Sequence, residues 1–448
     1  MARFLARHGV RVVASDKRDA QALADRVAEL QALGVTLALG GHPLSLLEGA
    51  EMLAVSGGVP LTLPIVQEAM RRRIPVVGDA ELTLRYASGP TLGITGSAGK
   101  TTTTTLVGLM MEAAGMDVFV GGNIGTPALD HLDELDEGTW LVLELSSFQL
   151  DVCYRSPHVA AVLNVTPNHL DRHPSMEAYA EAKRNIFRYQ RPGDQVILNL
   201  DNPWTRGWWE EAVPPGVERW AFSLESPVER GTYVKGHHLV LRREGDEVDI
   251  CRVEDIRLRG RHNIANVLAA AAIAGSVGVP VEAMDQVVRT FTGVPHRLEV
   301  VGRARGVLWV NDSIATAPER VVAALRSFSE PIVLLAGGRD KKLPWDEFAA
   351  EAARRARYVI AFGEAAPLVE RVLRPYVGRE RLEGVERVED LPRAVERAAQ
   401  IARTGDVVLL SPGGTSFDAY ANFERRGEHF RRLVARLLSR EGSEEMDT

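Results

Sequence analysis

The sequence predicts an α/β protein of three domains, each built on a largely parallel sheet covered by helices. Three observations predict it. Short apolar runs alternate with helical stretches along most of the chain, the pattern of parallel strands joined by crossover helices. A glycine-rich turn, GITGSAGKTT, follows one such run and opens a helix. The length, 448 residues, corresponds to about three domains at roughly 150 residues each.

The first domain is expected over residues 1–88. MARFLARHG reads as a helix with Phe4, Leu5 and His8 on one side. Residues 10–14 read as a strand running into Ser15-Asp16-Lys17, and residues 35–39, 52–55 and 75–77 as further strands. The layout is Rossmann-like. Such a unit should begin with a strand and a glycine turn ahead of its first helix, so the expectation is a Rossmann-like domain lacking its first strand. The second domain, residues 89–294, is expected to be α/β with buried strands at 91–95, 141–145 and 160–165. Within it, residues 231–253 alternate as an antiparallel ribbon with turns at Gly236 and Gly245-Asp246, and residues 263–279 form an alanine-rich buried helix. TGVPHRLE marks the next boundary. The third domain, residues 295–448, is again Rossmann-like, with strands at 307–310, 332–336, 358–362 and 407–411. The acidic tail EGSEEMDT is expected to be a solvated end.

Composition excludes several classes. With 53 basic and 60 acidic residues the formal charge is −7, and no basic block is present, so nucleic acid is not an expected partner. No apolar run approaches the roughly 18 residues of a spanning helix; the longest, residues 267–275, is half that. No membrane partner is expected. Arg7 and Arg11 interrupt the apolar stretch a signal peptide would need, and Cys153 and Cys251 form neither a CxxC pair nor a zinc pattern. A cytoplasmic protein is expected. Lysine occurs only six times, at Lys17, Lys100, Lys183, Lys235, Lys341 and Lys342, whereas 47 of the basic residues are arginine. Where lysine persists against such a bias, the chemistry can require a compact ammonium or a nucleophilic amine.

The sharpest motif spans Gly93 to Thr105. Backbone N–H groups of a turn at a helix N-terminus hold phosphate oxygens. Lys100 would then neutralise phosphate charge and the Thr101 hydroxyl would ligate Mg2+. The match to G-x-x-x-x-G-K-[ST] is imperfect, because Ile94 stands where the first glycine belongs. In LVLELSSFQLD, Glu144 ends an apolar strand: buried, it would need a partner or a metal; otherwise it faces solvent. In NVTPNHLDRH, His169 and Asp171 follow a strand, on the edge where open α/β sheets bind ligands, although a histidine there can equally be structural. Lys183 falls inside the apolar stripe Met176, Tyr179, Ala180, Ile186 and Phe187. It is either a lysine with a packed stem or an amine made reactive by a dry pocket. Asn311-Asp312 follow a strand as a ribose or metal acceptor pair. SPGGTSFDAYANFERRG offers N–H donors and hydroxyls to an anion such as a carboxylate, and Lys341 could face the same ligand.

GITGSAGKTT, ELSSFQLD, NVTPNHLDRH, GRHNIANVLAA, PHRLE, NDSIATAP and SPGGTSFDAYANFERRG together resemble the Mur ligases, over about residues 10–435. Within that family, ELSSFQL and SP..TSFD.Y.NFE.RG resemble the members that add D-glutamate to UDP-N-acetylmuramoyl-L-alanine. The resemblance implies a UDP-sugar domain, a central P-loop ATP-binding domain and a C-terminal amino-acid domain. It also implies an ATP-dependent ligase of peptidoglycan precursor synthesis working through an acyl phosphate. Gly96, Ser97, Gly99, Lys100, Thr101 and Thr102 would bind ATP phosphates, Asn266 adenine, and Arg297 and Asp312 ribose and phosphate. Thr101, Glu144, His169 and a carbamylated Lys183 would hold Mg2+, two ions in all. The catalytic set implied is Lys100, Glu144, His169 and Lys183. Lys17 and Arg18 match the uridine diphosphate side, and Asn123 and Ser146 the sugar substrate. Thr316, Lys341, Ser416, Phe417 and Phe423 match the D-glutamate pocket. A monomer is expected. Three departures stand out: the absent first strand with its glycine turn, Ile314 at a position often held by lysine, and Asn168 in place of a frequent acid. The competing readings are a superfamily ligase for a different amino acid or polyglutamate, and a nucleotide-regulated binding protein. A dehydrogenase is disfavoured because no G-x-G-x-x-G follows an early strand.

Overall fold

A computed structural model describes residues 1–123, 127–169, 172–258, 260–341 and 343–444. The chain divides into two compact units, Met1–Phe291 and Thr292–Thr448. The first holds both stretches expected as residues 1–88 and 89–294, as far as Phe291.

The first unit opens with the helix Ala2–Arg7, which buries Phe4 and Leu5; His8 is exposed, its ring 4.3 Å from that of Phe4. Four short strands follow: β1 (Val13–Asp16), β2 (Thr36–Leu39), β3 (Leu53–Ala54) and β4 (Val76–Val77). They form two separate parallel ladders, β1–β2 and β3–β4, rather than one sheet. The first strand also begins later than expected, leaving Val10 exposed and taking Ser15 and Asp16 into the ladder.

The main sheet of this unit has nine strands: β5 (Thr91–Thr95), β6 (Val118–Gly122), β7 (Trp140–Glu144), β8 (Val159–Val162), β9 (Gln195–Asn199), β10 (Glu218–Ser223), β11 (Gly231–Lys235), β12 (His238–Arg243) and β13 (Asp246–Arg252). Their order is 13-12-11-10-9-8-5-7-6. Strands β5 to β10 pair in parallel. The predicted ribbon is present as β11–β12–β13, antiparallel, with Gly236 and Gly245 at φ +61° and +94° in its turns. Strand β8 ends earlier than the run 160–165 suggested, so the chain from Leu163 onward is free to form a loop. The alanine-rich helix is Arg261–Ser276; its residues 266–275 are all buried, and its small side chains let it pack closely on the helix Lys100–Ala113.

The second unit is a six-stranded sheet: β14 (Glu299–Ala304), β15 (Val307–Asn311), β16 (Ile332–Gly337), β17 (Ala356–Phe362), β18 (Gly384–Arg387) and β19 (Val407–Gly413), in the order 14-15-19-16-17-18. All pairs are parallel except β14–β15. Both faces are apolar, as a helix-covered parallel sheet requires. The last helix runs from Phe423 to Glu444, through half of the tail expected as a solvated end.

Candidate functional site

Strand order decides which loops meet. In the first unit β8, β5, β7 and β6 lie side by side and point the same way, so their carboxyl ends share one edge, where such sheets bind ligands. That edge carries the phosphate turn after β5, Glu144 at the end of β7, Asn123 after β6 and the loop to His169 after β8.

The turn bends because Gly99 adopts φ +85°, left-handed and cheap only for glycine. A Cβ at Gly99 would stand 2.2 Å from Asn266 Oδ1. Asn266, predicted to meet adenine, is therefore packed against the turn, its Nδ2 donating to Asn263 Oδ1 at 3.1 Å. Gly96 is buried, and its carbonyl accepts from Lys100 Nζ at 2.8 Å and from Lys183 Nζ at 2.9 Å. Ser97 Oγ donates to the Thr166 carbonyl at 3.0 Å. Thr101 is buried at the first turn of the helix and Thr102 half-buried.

Two lysine Nζ atoms thus converge on one carbonyl oxygen. Lys183 is 1% exposed; its other near groups are Thr95 Oγ1 at 3.5 Å and the Tyr179 ring, 4.6 Å away at its centroid. Burial holds its pKa well below the usual range, Lys100 lowers it further, and Glu144 pulls the other way. Lys183 is therefore buried to its amine, which meets the Gly96 carbonyl rather than solvent.

Glu144 is buried, 2% exposed. Its Oε1 accepts from Asn123 Nδ2 at 3.0 Å and its carbonyl from Asn123 N–H at 2.8 Å. The approach requires Gly122, at φ +107°, where a Cβ would lie 2.5 Å from the Glu144 carbonyl oxygen. Glu144 Oε2 is buried without a hydrogen-bond partner among the described residues. A carboxylate oxygen stranded in the interior is costly, and a divalent cation would complete it. Among the described residues no three His, Cys, Asp or Glu side chains cluster closely enough to hold a metal alone. The stranded Glu144 oxygen at this sheet edge fits a hard cation such as Mg2+, which is bound through one or two carboxylates together with phosphate oxygens.

His169 adopts φ +54°, and its carbonyl closes a turn by accepting from the N–H groups of Arg172 and His173. Its ring stands edge-on to Phe148 at 5.1 Å and 6.4 Å from Tyr179. His173 stacks on Phe148 at 5.3 Å and meets Ser147 Oγ at 3.0 Å. Asp171 lies outside the described residues. Ser146 caps the short helix Ser147–Leu150 in a capping box with Gln149, which in turn donates to Asp79 at 2.9 Å. Lys17 and Arg18 are both exposed after β1, and Arg18 grips Asp16 through two contacts of 3.1 and 2.9 Å, holding that carboxyl down at about 2.

In the second unit β15, β19 and β16 are neighbours, and their carboxyl ends carry the remaining predicted residues. Asp312 is buried; it accepts from Ser411 Oγ at 2.8 Å and from Leu298 N–H at 3.2 Å. Burial pushes its carboxyl up to about 7 against those two bonds. Arg297 is exposed beside it, in a segment where His296 and Leu298 both take positive φ. Lys341 Nζ donates to Thr316 Oγ1 at 3.1 Å, so two residues predicted for one pocket do meet. Burial and then Arg320 lower the Lys341 pKa. Ser416 is buried, Phe417 is 60% exposed, and the Phe423 carbonyl accepts from Ser313 Oγ at 2.8 Å.

Sequence reasoning overlooked several residues that shape these sites. Arg426 is fully buried and holds the 313 loop to the 414–415 turn: Nε donates to Ser313 Oγ at 3.0 Å, Nη2 to the Ser313 carbonyl at 2.9 Å, and Nη1 to the Gly414 and Thr415 carbonyls at 3.2 and 3.1 Å. Only its place in the FERRG motif signalled it. Asn164 was marked only as the first residue of NVTPNHLDRH, and Gly122 gave no signal of its own.

Three family models match the chain in order: "Mur ligase MurD-like, N-terminal domain" over residues 1–78, "Mur ligase middle domain" over 94–274 and "Mur ligase, glutamate ligase domain" over 296–414. Among curated relatives, a UDP-N-acetylmuramoylalanine--D-glutamate ligase of Symbiobacterium thermophilum is 45% identical over 439 residues, covering 97% of this chain and 95% of that protein. One of the same description from Pelotomaculum thermopropionicum is 38% identical, covering 98% and 95%. Among solved structures, a UDP-N-acetylmuramate-alanine ligase of Thermotoga maritima shares the fold with a TM-score of 0.52 at 19% identity, covering 98% of this chain and 96% of that one.

Proposed function

The chain belongs to the Mur ligase family, and from that premise we propose that it joins D-glutamate to UDP-N-acetylmuramoyl-L-alanine at the expense of ATP, in peptidoglycan precursor synthesis. The division of labour follows the expected domains: the UDP-sugar at residues 1–88, ATP at 89–294 and D-glutamate at 295–448. The observation that carries this reading is Glu144 Oε2, a buried carboxylate oxygen without a hydrogen-bond partner among the described residues, one strand away from the phosphate turn.

A carboxylate is a poor electrophile. Its oxygen attacks the γ-phosphorus of ATP, the bond to the β-phosphate oxygen breaks, and ADP leaves. The D-glutamate amine then attacks the acyl phosphate carbon, loses a proton, and phosphate departs as the amide forms. Little covalent work falls to the protein, which contributes position and charge. The turn from Gly96 to Thr102 forms the phosphate site, its free N–H donors lying from Gly99 onward and Lys100 being its compact cation, and Asn266 holds adenine. Arg297 and Asp312 bind ribose and phosphate. When bound, Mg2+ neutralises phosphate charge, and Thr101, Glu144, His169 and Lys183 are the residues to hold two such ions. Lys183, uncharged, can add carbon dioxide: an N–C bond forms, a proton leaves, and the side chain becomes an anion. Lys17, Arg18, Asn123 and Ser146 bind the sugar nucleotide. Thr316, Lys341, Ser416, Phe417 and Phe423 take D-glutamate. We assign the protein to the cytoplasm as a monomer, with no nucleic-acid or membrane partner; among the described residues no helix is long and apolar enough to cross a membrane.

Phosphate release is the test, with ATP, Mg2+, the muramoyl-L-alanine nucleotide and D-glutamate, omitting one at a time. Release that needs all four supports the reading. Release without D-glutamate, or a different amino acid preferred over it, overturns it.

A further inference from the structure

The phosphate turn is clasped by a side chain to which the reaction gives no role. Asn164 lies alongside Ala98 like a one-residue strand. Its Oδ1 accepts from Ala98 N–H at 2.9 Å and its Nδ2 donates to the Ala98 carbonyl at 3.1 Å. Its own carbonyl accepts from Ser97 N–H at 3.0 Å. A second rung lies beside it: Ser97 Oγ also accepts from Thr166 N–H at 2.9 Å and from Tyr179 O–H at 3.1 Å. A Cβ on Gly96 would come within 3.0 Å of Leu163 Cβ, so the two loops touch even where the clasp begins.

A peptide N–H already paired is withdrawn from anion binding. The clasp therefore removes Ser97 and Ala98 from the donors of the turn and hands the phosphates to the stretch beginning at Gly99 and entering the helix, where the dipole also favours them. It also makes the turn and the loop bearing His169 one piece. We propose that Asn164 is a positioning residue of the nucleotide site, which sets the shape of the phosphate turn and fixes the His169 loop to it without touching substrate. The inference rests on the ATP-dependent reading above.

The experiment measures KM for ATP and for D-glutamate, with melting temperature, in the whole protein carrying Asn164→Ala or Asn164→Asp. Alanine removes both side-chain bonds; aspartate keeps the acceptor for Ala98 N–H but turns an oxygen toward the Ala98 carbonyl. Both variants are expected to raise KM for ATP, by roughly tenfold or more, with KM for D-glutamate unchanged. Aspartate, nearly isosteric, keeps the test available where alanine fails to fold. An unchanged KM for ATP in a folded variant overturns the proposal. So does an equal rise for all substrates with a fall in melting temperature, which assigns Asn164 to general stability. A wild-type protein without ATP-dependent phosphate release would instead refute the ligase reading.

Discussion

Replacing Gly99 by alanine perturbs the phosphate turn in a way that can be apportioned. The residue holds φ +85°, and forcing an L side chain into that conformation costs about 1–2 kcal/mol. The new Cβ would also fall 2.2 Å from Asn266 Oδ1. Asn266 must then swing away and lose its bond to Asn263, about 1 kcal/mol more. Gly115 supplies the control at the other end of the same helix: its φ is +76°, yet a Cβ there meets nothing within 4 Å. Gly115→Ala should show the backbone cost alone, and Gly99→Ala that cost plus the displacement. At roughly 2–4 °C per kcal/mol, Gly99→Ala should melt a few degrees below Gly115→Ala. Only Gly99→Ala should raise KM for ATP. Adding Asn266→Ala removes the clash, so the double variant should be more stable than the sum of the singles by about 1 kcal/mol. Calorimetry on wild type, the three single variants and the double variant reads the stabilities, and initial-rate kinetics reads KM. Strict additivity, or equal effects at Gly99 and Gly115, would refute the packing of Asn266 against the turn.

Lys183→Ala should abolish ligase activity, and short carboxylic acids should restore part of it by standing in for the carbamate; full activity in that variant ends the proposed role. Asp312, with its carboxyl near 7 in the fold against 3.8 unfolded, binds more proton in the native state between those values. Its contribution to stability is therefore present below about pH 4 and lost as pH rises through 7. Melting temperatures of wild type should decline relative to Asp312→Asn over that window, and parallel profiles would contradict the assignment. Arg426→Met leaves the buried Ser313 and Gly414 carbonyls uncapped and takes one of two donors from the Thr415 carbonyl, which keeps the Arg339 N–H, a loss of about 2–3 kcal/mol, with a raised KM for D-glutamate. Arg426→Lys should recover little of either, because one ammonium cannot span both loops; wild-type kinetics in the lysine variant would refute the clamp.

What the sequence made legible was local. The phosphate turn announces itself because Gly99, Lys100 and Thr101 are adjacent and each does its work within a few residues. The β11–β13 ribbon shows because its glycine turns sit between alternating strands. Strand β9 has only three apolar residues between polar ends, β10 begins with Glu-Arg, and β18 reads Gly-Val-Glu-Arg, so none separates from a loop by periodicity. Strand β14 is further disguised by a register shift between Val300 and Gly302. The burial of Glu144 was undecidable from its neighbours, because what covers it comes from β6 and a loop about twenty residues away. Lys183 was ambiguous for the same reason: its pKa is lowered first by burial and then by Lys100, and both depend on segments distant in sequence.

The clasp at the phosphate turn also bears on how the protein comes into being. Ala98 and Asn164 are 66 residues apart in the chain, and Ser97 and Thr166 are 69 apart. Strand β5 is made early but takes its final neighbour, β8, only after β6 and β7 have been laid down. A ribosome at a few residues per second exposes the GITGSAGKTT segment for several seconds before its partner exists. The turn cannot settle in that interval, and nucleotide present in the cell has no finished cradle to enter until residue 166 has emerged. The motif that is easiest to read thus waits for a segment made almost seventy residues after it.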